Sequence, residues 1–496
     1  MAKYILLGLY VLVLVLSGIV NRKHARTSGG FFLGGRGVGP VLSAFAYVTT
    51  YISAVAVINA GKIGWSYGIG AVFNGLGNVL LGVLLSWLLL ARRTRSMTIR
   101  LNAMTMPEFL RTRYDSDLFK LLGAVCIFVF MVPYSGSVFM GLSYISENIF
   151  HIPYQFALIS MTVLTGIYLT LGGYKAVALA DAIQGMIMIA GAVIMVLFLW
   201  SAPQVGGPIS GMRRLSAVDP ALTSASLSGT AAWLELVPII VLTSIGPLGM
   251  PQMIQKFFAV KDDRSIAAAT VVCTISAVLI ILPIHWIGFM DRLFFDTLPV
   301  DAQTLRPSAD LLLPQMLERF LPEVALALIF LLIISASMST LAGVVMVSAS
   351  SISMDLLKGY VKSGVSDRTV TAVMRGLCVL FILFSIMIAV EKPASILLLQ
   401  SLSWGAISGF FLAPYVYGVL WRGVTRAGAL TGALSGLAIA VILPAVFGMN
   451  PTNASFWAFL VPLILTPLVS SVTPGLPVEL LSLAFGSDGR SARHSR

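Results

Sequence analysis

Thirteen stretches of this chain are apolar for long enough to cross a lipid bilayer, and that property removes most folds from consideration. They lie at about 3–20, 38–59, 68–91, 118–148, 154–172, 179–201, 231–248, 266–291, 321–355, 370–390, 394–421, 427–448 and 453–472. A helix needs about 20 apolar residues to span the hydrocarbon. In that medium each backbone amide and carbonyl must be paired within its own segment, which favours helices over open sheets. Composition agrees: 58% of the 496 residues are hydrophobic and 10% are charged, whereas soluble domains hold about 45–50% apolar residues. The chain reads as an all-α polytopic membrane protein with thirteen transmembrane helices.

Loop charge gives an orientation. With the N-terminus outside, the cytoplasmic side collects "NRKHAR", "ARRTRSMTIR", "FLRTRY", "KDDR", "WRGVTR" and "GRSARHSR". Of the 32 Lys and Arg, only Lys3, Lys62, Arg213, Arg214, Arg292, Arg306, Arg319 and Lys392 then fall outside. An even span count or the reverse orientation would spoil this positive-inside split. The expectation is a multi-pass protein of the cell (plasma) membrane, N-terminus outside and C-terminus cytoplasmic. The first run is not a signal peptide, because "NRKHAR" follows it and no small-x-small cleavage pattern appears. The longest outer loops are 202–230 and 292–320; the second region carries Asp291, Asp296, Asp301, Asp310 and Glu318 and reads as a solvated loop.

Other classes find little support. The net charge of +12 sits in membrane loops and does not indicate nucleic acid. Cys126, Cys273 and Cys378 are scattered through apolar runs, with no metal or disulfide spacing. His24, His151, His285 and His494 lack the partners of an intramembrane enzyme. No Walker motif, carbonyl selectivity filter or soluble signalling domain is present, which argues against a pump, a channel or a sensor.

Two spans carry interruptions. The second contains "FAYVTTYISAVAVINAG", where Thr49-Thr50-Tyr51-Ile52-Ser53 weakens helix continuity. The seventh contains "LTSIGPLGMPQ", where Gly246, Pro247, Gly249 and Pro251 must break or kink the helix. The two lie five spans apart, so spans 2–6 (38–201) and 7–11 (231–421) form two five-helix units of opposite orientation, as in inverted-repeat transporters. The remaining parts are 1–37, the outer loop 202–230, two further spans in 422–472, and a tail, 473–496.

The segments "FFLGGRGVGP" (31–40), "MTMPEFLRTRY" (104–114), "YLTLGGYKAVALADAIQG" (168–185), "GPLGMPQMIQKFFAVKD" (246–262), "SASMSTLAG" (335–343) and "WRGVTRAGALTG" (421–432) together resemble the sodium:solute symporter family, which includes sodium-coupled proline, pantothenate, sialic acid and sugar symporters. The resemblance implies a LeuT-like inverted-repeat (5+5) core with one extra helix before it and two after. It implies inward movement of a small organic solute, coupled to Na+ by alternating access, and neither enzymatic activity nor an organic cofactor. Leu169, and Gly423 after Arg422, depart from the family pattern.

Sodium is a hard cation and takes oxygen ligands. A helical carbonyl at Ala336 and hydroxyls at Ser339 and Thr340 share one face. The resemblance implies that these three, with carbonyls of Thr49 and Ile52 freed by the second-span break, hold the ion. The alternative is a packing stripe of Ser335, Ser339 and Gly343, with Ser335 and Ser337 packing residues in either case. Leu341, Ala342 and Gly343 lack the hydroxyls that two-sodium members carry, which implies one coupling sodium. Asp181 matches a family aspartate linked to the ion; otherwise it caps a helix at the cytoplasmic end. Solute candidates are Tyr51, Ser53, Tyr134, Ser135, Thr243, Ser244, Gln400, Ser403 and Trp404. The proline-transporting branch has an aspartate where this chain has Tyr51, and aromatics where it has Thr243 and Pro247. "TTYISA" and "LGMP" look closer to the pantothenate and monocarboxylate-like branches, so an anionic carboxylate met by helix N-terminal amides is expected.

Overall fold

A computed structural model describes residues 2–486 apart from 151, 228, 302–304, 362–364 and 392. Lys392 and the basic tail "GRSARHSR" therefore lie outside the described residues. The membrane-length helices and half-helices are α1 (Ala2–Asn21), α2 (Pro40–Tyr51), α3 (Ala54–Tyr67), α4 (Gly70–Arg100), α5 (Asp117–Phe150), α6 (Tyr154–Ser201), α7 (Thr230–Ser244), α8 (Pro251–Ala259), α9 (Asp263–Phe289), α10 (Glu323–Ser350), α11 (Asp367–Glu391), α12 (Ile396–Leu420), α13 (Arg426–Phe447) and α14 (Pro451–Val472). Among the described residues there is no strand, only isolated bridges.

Among the described residues ten continuous helices are long and apolar enough to cross a membrane, eleven when the bent pair α2 and α3 is one span. The difference from the thirteen expected has two local causes. The described apolar part of α1, Gly8–Asn21, is shorter than a span. Spans 5 and 6 are joined in α6, whose 48 residues contain one non-helical residue, Gly173 (φ 59°, ψ −157°). That φ suits glycine and penalises any residue with a Cβ. The chain doubles back there: Tyr168 Oη donates to the Met338 carbonyl at 3.0 Å, while Asp181 lies beside the next residue, Ser339. In a straight helix the two would be about 20 Å apart.

Both interruptions read from the sequence are present. Pro40 opens α2 at a first-turn position where its missing amide costs nothing. The helix ends at Tyr51 because Ile52 and Ser53 are extended (ψ 129° and 176°), and α3 leaves at 51° to α2. In the seventh span α7 gives way to a tight turn over Gly246–Gly249; Met250 is extended (ψ 120°), and Pro251 opens α8. The start of α2 and the end of α8 are tied by backbone bonds: the Val38 amide to the Ala259 carbonyl at 3.2 Å, and the Lys261 amide to the Val38 carbonyl at 2.9 Å. At the opposite end of these spans α3 and α9 cross backbone to backbone, since a Cβ on Gly64 would collide with the Gly288 carbonyl.

Burial separates core from periphery. The best 18-residue stretch of the span containing α10 is 94% buried and that of α12 is 89%, against 22% for α13. The helix carrying "SASMSTLAG" is thus the central post, packed against α2, α5 and α6.

Candidate cation and solute sites

The break between α2 and α3 faces the middle of α10. Thr340 Oγ1 lies 3.0 Å from the Ala336 carbonyl, 3.1 Å from that of Thr50 and 3.2 Å from that of Ile52. A hydroxyl has one proton to give, so three carbonyls converge on a single donor. Ser339 Oγ donates to Thr49 Oγ1 at 2.7 Å, and Thr49 Oγ1 donates to the Phe45 carbonyl at 2.7 Å. All five expected residues are brought together. Thr49 takes part through its hydroxyl, and the carbonyl of Thr50, which sequence reasoning missed, is the nearer of the two. Extended residues at 52–53 cannot continue the α2 ladder, so the last carbonyls of α2 are left free. They are also the negative end of that half-helix. Ser337 does more than pack: its Oγ accepts the Ala54 amide, the first of α3, at 3.2 Å.

Asp181 is 1% exposed on the second arm of α6, within reach of Ser339. Its charge partner is Lys256 on α8, fully buried, at 3.9 Å from Oδ2 and 5.2 Å from the centre of the Tyr174 ring. Lys256 was missed because the sequence places it near the basic "KDDR" loop; the signal was a lone cation between "MIQ" and "FFAV". The pairing identifies Asp181 as half of a buried ion pair and not a helix cap.

The solute candidates divide between two faces. Tyr51, Thr243 and Ser244 turn toward α4. Tyr51 Oη donates to the Thr243 carbonyl at 2.7 Å, Thr243 Oγ1 to Asn74 Oδ1 at 2.8 Å, and Ser244 Oγ to Asn78 Oδ1 at 3.0 Å. Asn74 in turn meets His285 Nε2 at 3.1 Å, so His285 is a bonded core residue. The other group surrounds the start of α3. Tyr134 lies edge-on to Trp404, centroids 5.5 Å apart, and beside Ser53. Gln400 Oε1 accepts from Asn59 Nδ2 at 3.0 Å. Ser403 bonds back to the Leu399 carbonyl at 2.9 Å. Ser135 Oγ, Trp404 Nε1 and Asn59 Oδ1 are buried without a hydrogen-bond partner among the described residues. The Gly246 carbonyl at the seventh-span break accepts Ser408 Oγ at 2.7 Å, and Gly246 abuts Trp404. Pro247 and Gly249 are buried in the same turn, Gly249 against the backbone of Leu412.

Beside the end of α3 a cleft of about 420 Å³ is lined by Lys62, Ser66, Tyr67, Glu235, Ser395, Asn450, Thr452 and Asn453, among others. Lys62 is one helical turn from Asn59 on α3. Among the described residues no group of His, Cys, Asp and Glu could hold a metal ion.

The sequence matches the family model described as "Sodium:solute symporter family" over residues 31–436. It is similar to the sodium/pantothenate symporter of Escherichia coli (strain K12), 26% identical over 490 residues that cover 97% of each chain. It is similar to the sodium/proline symporter of Haemophilus influenzae, 24% identical over 440 residues, 86% of this chain and 85% of the relative. In three dimensions it resembles the substrate-bound, outward-open form of a Na+-coupled sialic acid symporter, with TM-score 0.80 and 15% identity, covering 96% of this chain and 98% of that one.

Proposed function

The chain belongs to the sodium:solute symporter family and is a sodium-coupled symporter of a small solute, and on that premise we propose which residues hold the ion and what kind of solute it carries. The coupling Na+ is bound by the carbonyls of Ala336, Ile52 and Thr50 or Thr49 and by the hydroxyls of Thr340 and Ser339. The observation that carries this reading is the convergence of three carbonyls, at 3.0–3.2 Å, on one hydroxyl. Such an acceptor-rich pocket is satisfied better by a hard cation than by one proton. One sodium is coupled, because the positions after Thr340 carry no hydroxyls. Lys256 supplies the counter-charge that Asp181 would otherwise seek from a second ion.

The solute lies against Ser53, Asn59, Tyr134, Ser135, Gln400 and Trp404. Its entry is the cleft beside the end of α3, where Lys62 favours an organic carboxylate. The similar symporters described above are named for pantothenate and proline; Tyr51 stands where the proline-transporting branch has an aspartate, which disfavours proline. Inward transport across the plasma membrane, N-terminus outside and no organic cofactor complete the reading.

The test is uptake into proteoliposomes of labelled pantothenate, lactate, pyruvate, acetate, proline and other amino acids, with and without an inward sodium gradient. Sodium-dependent uptake of a carboxylate is expected. Uptake of proline alone, or of a carboxylate with protons fully replacing sodium, would overturn the solute or the ion assignment respectively.

A further inference from the structure

Below the three-carbonyl site, α10 continues toward the cytoplasmic side with a face of small or oxygen-bearing residues. Positions 340, 343 and 347 of α10 hold Thr, Gly and Val at intervals of three and four, and beyond Ser350 the span goes on as a π-helix, Ser351–Val361, which carries Ser351 and Asp355. Against this face stand buried oxygens that accept no hydrogen bond among the described residues: Gln252 Oε1, Gln255 Oε1 and Asp355 Oδ2, together with the unpaired Thr50 hydroxyl. Buried oxygens are as a rule hydrogen-bonded, so four along one path call for an explanation.

Their placement is orderly. Thr50 and Gln252 meet over Gly343, where a Cβ would lie 3.2 Å from Thr50 Cγ2, 3.6 Å from Thr50 Oγ1 and 3.8 Å from Gln252 Cβ. The missing side chain lets Thr50 pack closely against α10 directly below Thr340. One turn further along α8, Gln255 has its amide orientation fixed, because Nε2 donates to the Phe32 carbonyl at 2.8 Å; Oε1 is therefore the free end. Gln255 and Asp355 line one cavity with Phe32, Thr105, Ser350 and Ser351. Asp355 is 1% exposed. Its Oδ1 is occupied, accepting Thr105 Oγ1 at 2.6 Å, with Lys120 Nζ at 3.9 Å. Its Oδ2 remains available.

We propose that Gln255 Oε1 and Asp355 Oδ2 form a second, weaker site for sodium, a station on the ion's way from the Thr340 site to the cytoplasm. The proposal rests on the sodium assignment above, with Thr50 Oγ1 and Gln252 Oε1 as the oxygens passed between the two. A carboxylate oxygen and an amide oxygen are the ligands a hard monovalent cation takes. Lys120, beside the other carboxylate oxygen, lowers the affinity, which a release site requires. The station adds no coupled ion, since each sodium visits it after leaving the upper site. The competing occupant is water bridging the two oxygens.

Equilibrium binding of labelled sodium to the purified full chain separates these. Wild type gives a tight and a weak phase. Asp355→Asn weakens the weak phase by tenfold or more and leaves the tight phase, Asp355→Glu restores the weak phase, and Gln255→Leu weakens it by a smaller factor. Thr340→Val weakens only the tight phase. A wild-type isotherm for Asp355→Asn overturns the station and leaves water as the occupant. Loss of the weak phase in Asp355→Asn alongside a tight phase unchanged in Thr340→Val fails the upper assignment instead. Should the Asp355 variants not fold, Gln255→Leu carries the test, and an unchanged weak phase there overturns the station.

Discussion

Replacing Thr340 with valine removes one oxygen and keeps the side-chain shape, which makes it the sharpest probe of the cation site. In the protein without bound sodium the Thr340 hydroxyl satisfies one of three carbonyls at 3.0–3.2 Å. Losing that bond costs about 1 kcal/mol of net stability, small enough for Thr340→Val to fold. With sodium bound, the hydroxyl serves a charge, and bonds to charged groups are worth about 1.5–3 kcal/mol. About 1 kcal/mol of this is lost without sodium as well, so binding weakens by about 0.5–2 kcal/mol, and at about 1.4 kcal/mol per factor of ten sodium affinity falls roughly 2- to 25-fold. No solute is needed to measure this. A ligand that binds only the folded state stabilises it by about 2.7 kcal/mol at 100 times its Kd. Thermal unfolding of purified protein against sodium, with choline balancing ionic strength, therefore reports the affinity. The midpoint of the sodium effect should move to higher concentration by the factor above in Thr340→Val and stay near wild type in Thr340→Ser. A wild-type midpoint in Thr340→Val would refute the argument that the converging carbonyls exist to bind the ion.

The remaining expectations follow from single contacts. Lys256→Met strands a buried carboxylate, a loss of about 3–5 kcal/mol for a broken buried pair; the double variant Lys256→Met/Asp181→Leu should regain most of it, as read by thermal stability in a double-mutant cycle. Gly288→Ala should abolish folding or insertion, because a Cβ there collides with the Ala60 carbonyl of α3; detergent-solubilised monodispersity checks this. Asp291, just beyond the end of α9, is fully buried with both carboxylate oxygens unpartnered, and desolvation holds its pKa well above the usual carboxylate value. The folded state then binds its proton more tightly than the unfolded state. Its contribution is greatest below about pH 4, the unfolded value, and is lost as pH rises toward the folded one. Asp291→Asn should flatten that decline and raise stability at neutral pH, measured as unfolding temperature against pH. Asn59→Leu should impair solute apparent affinity more than sodium affinity, since Asn59 touches Gln400 and not the Thr340 cluster.

Legibility in the sequence followed the range of the interaction. Both breaks were readable because their cause is local: proline lacks an amide, and a polar, β-branched run weakens a helix. The Ala336, Ser339 and Thr340 face was readable because helical spacing fixes it. The separation of spans 154–172 and 179–201 was readable from the charge and glycines of "LGGYK", and the structure puts the reversal between them at one residue, Gly173, inside α6. The solute wall was half readable. Tyr51, Thr243 and Ser244 have suitable chemistry, but their direction was set by Asn74 and Asn78 on a different helix. Lys256 and Asp355 escaped for the same reason, as each gains its meaning from a residue far away in the chain.

The geometry also explains why ion and solute should be coupled at all. The Ile52 carbonyl belongs to the proposed cation site, Ser53 to the proposed solute wall, and the Ala54 amide is held by Ser337, two residues from Ser339 on α10. Three consecutive residues therefore answer to the ion, the solute and the central helix. A break of two extended residues has little freedom to satisfy one neighbour without moving the other. Sodium drawn to the Ile52 carbonyl fixes the direction in which α3 departs, and with it the positions of Ser53 and Asn59. By linkage the effect is reciprocal: the factor by which sodium tightens the solute must equal that by which the solute tightens sodium, with about 1–3 kcal/mol the usual size. Ser337→Ala frees the Ala54 amide while leaving every cation oxygen in place, so it should shrink that mutual factor and change sodium affinity measured without solute by much less. Sodium titrations with and without solute read both quantities, and an undiminished mutual factor would show that the break transmits nothing through the Ser337 contact.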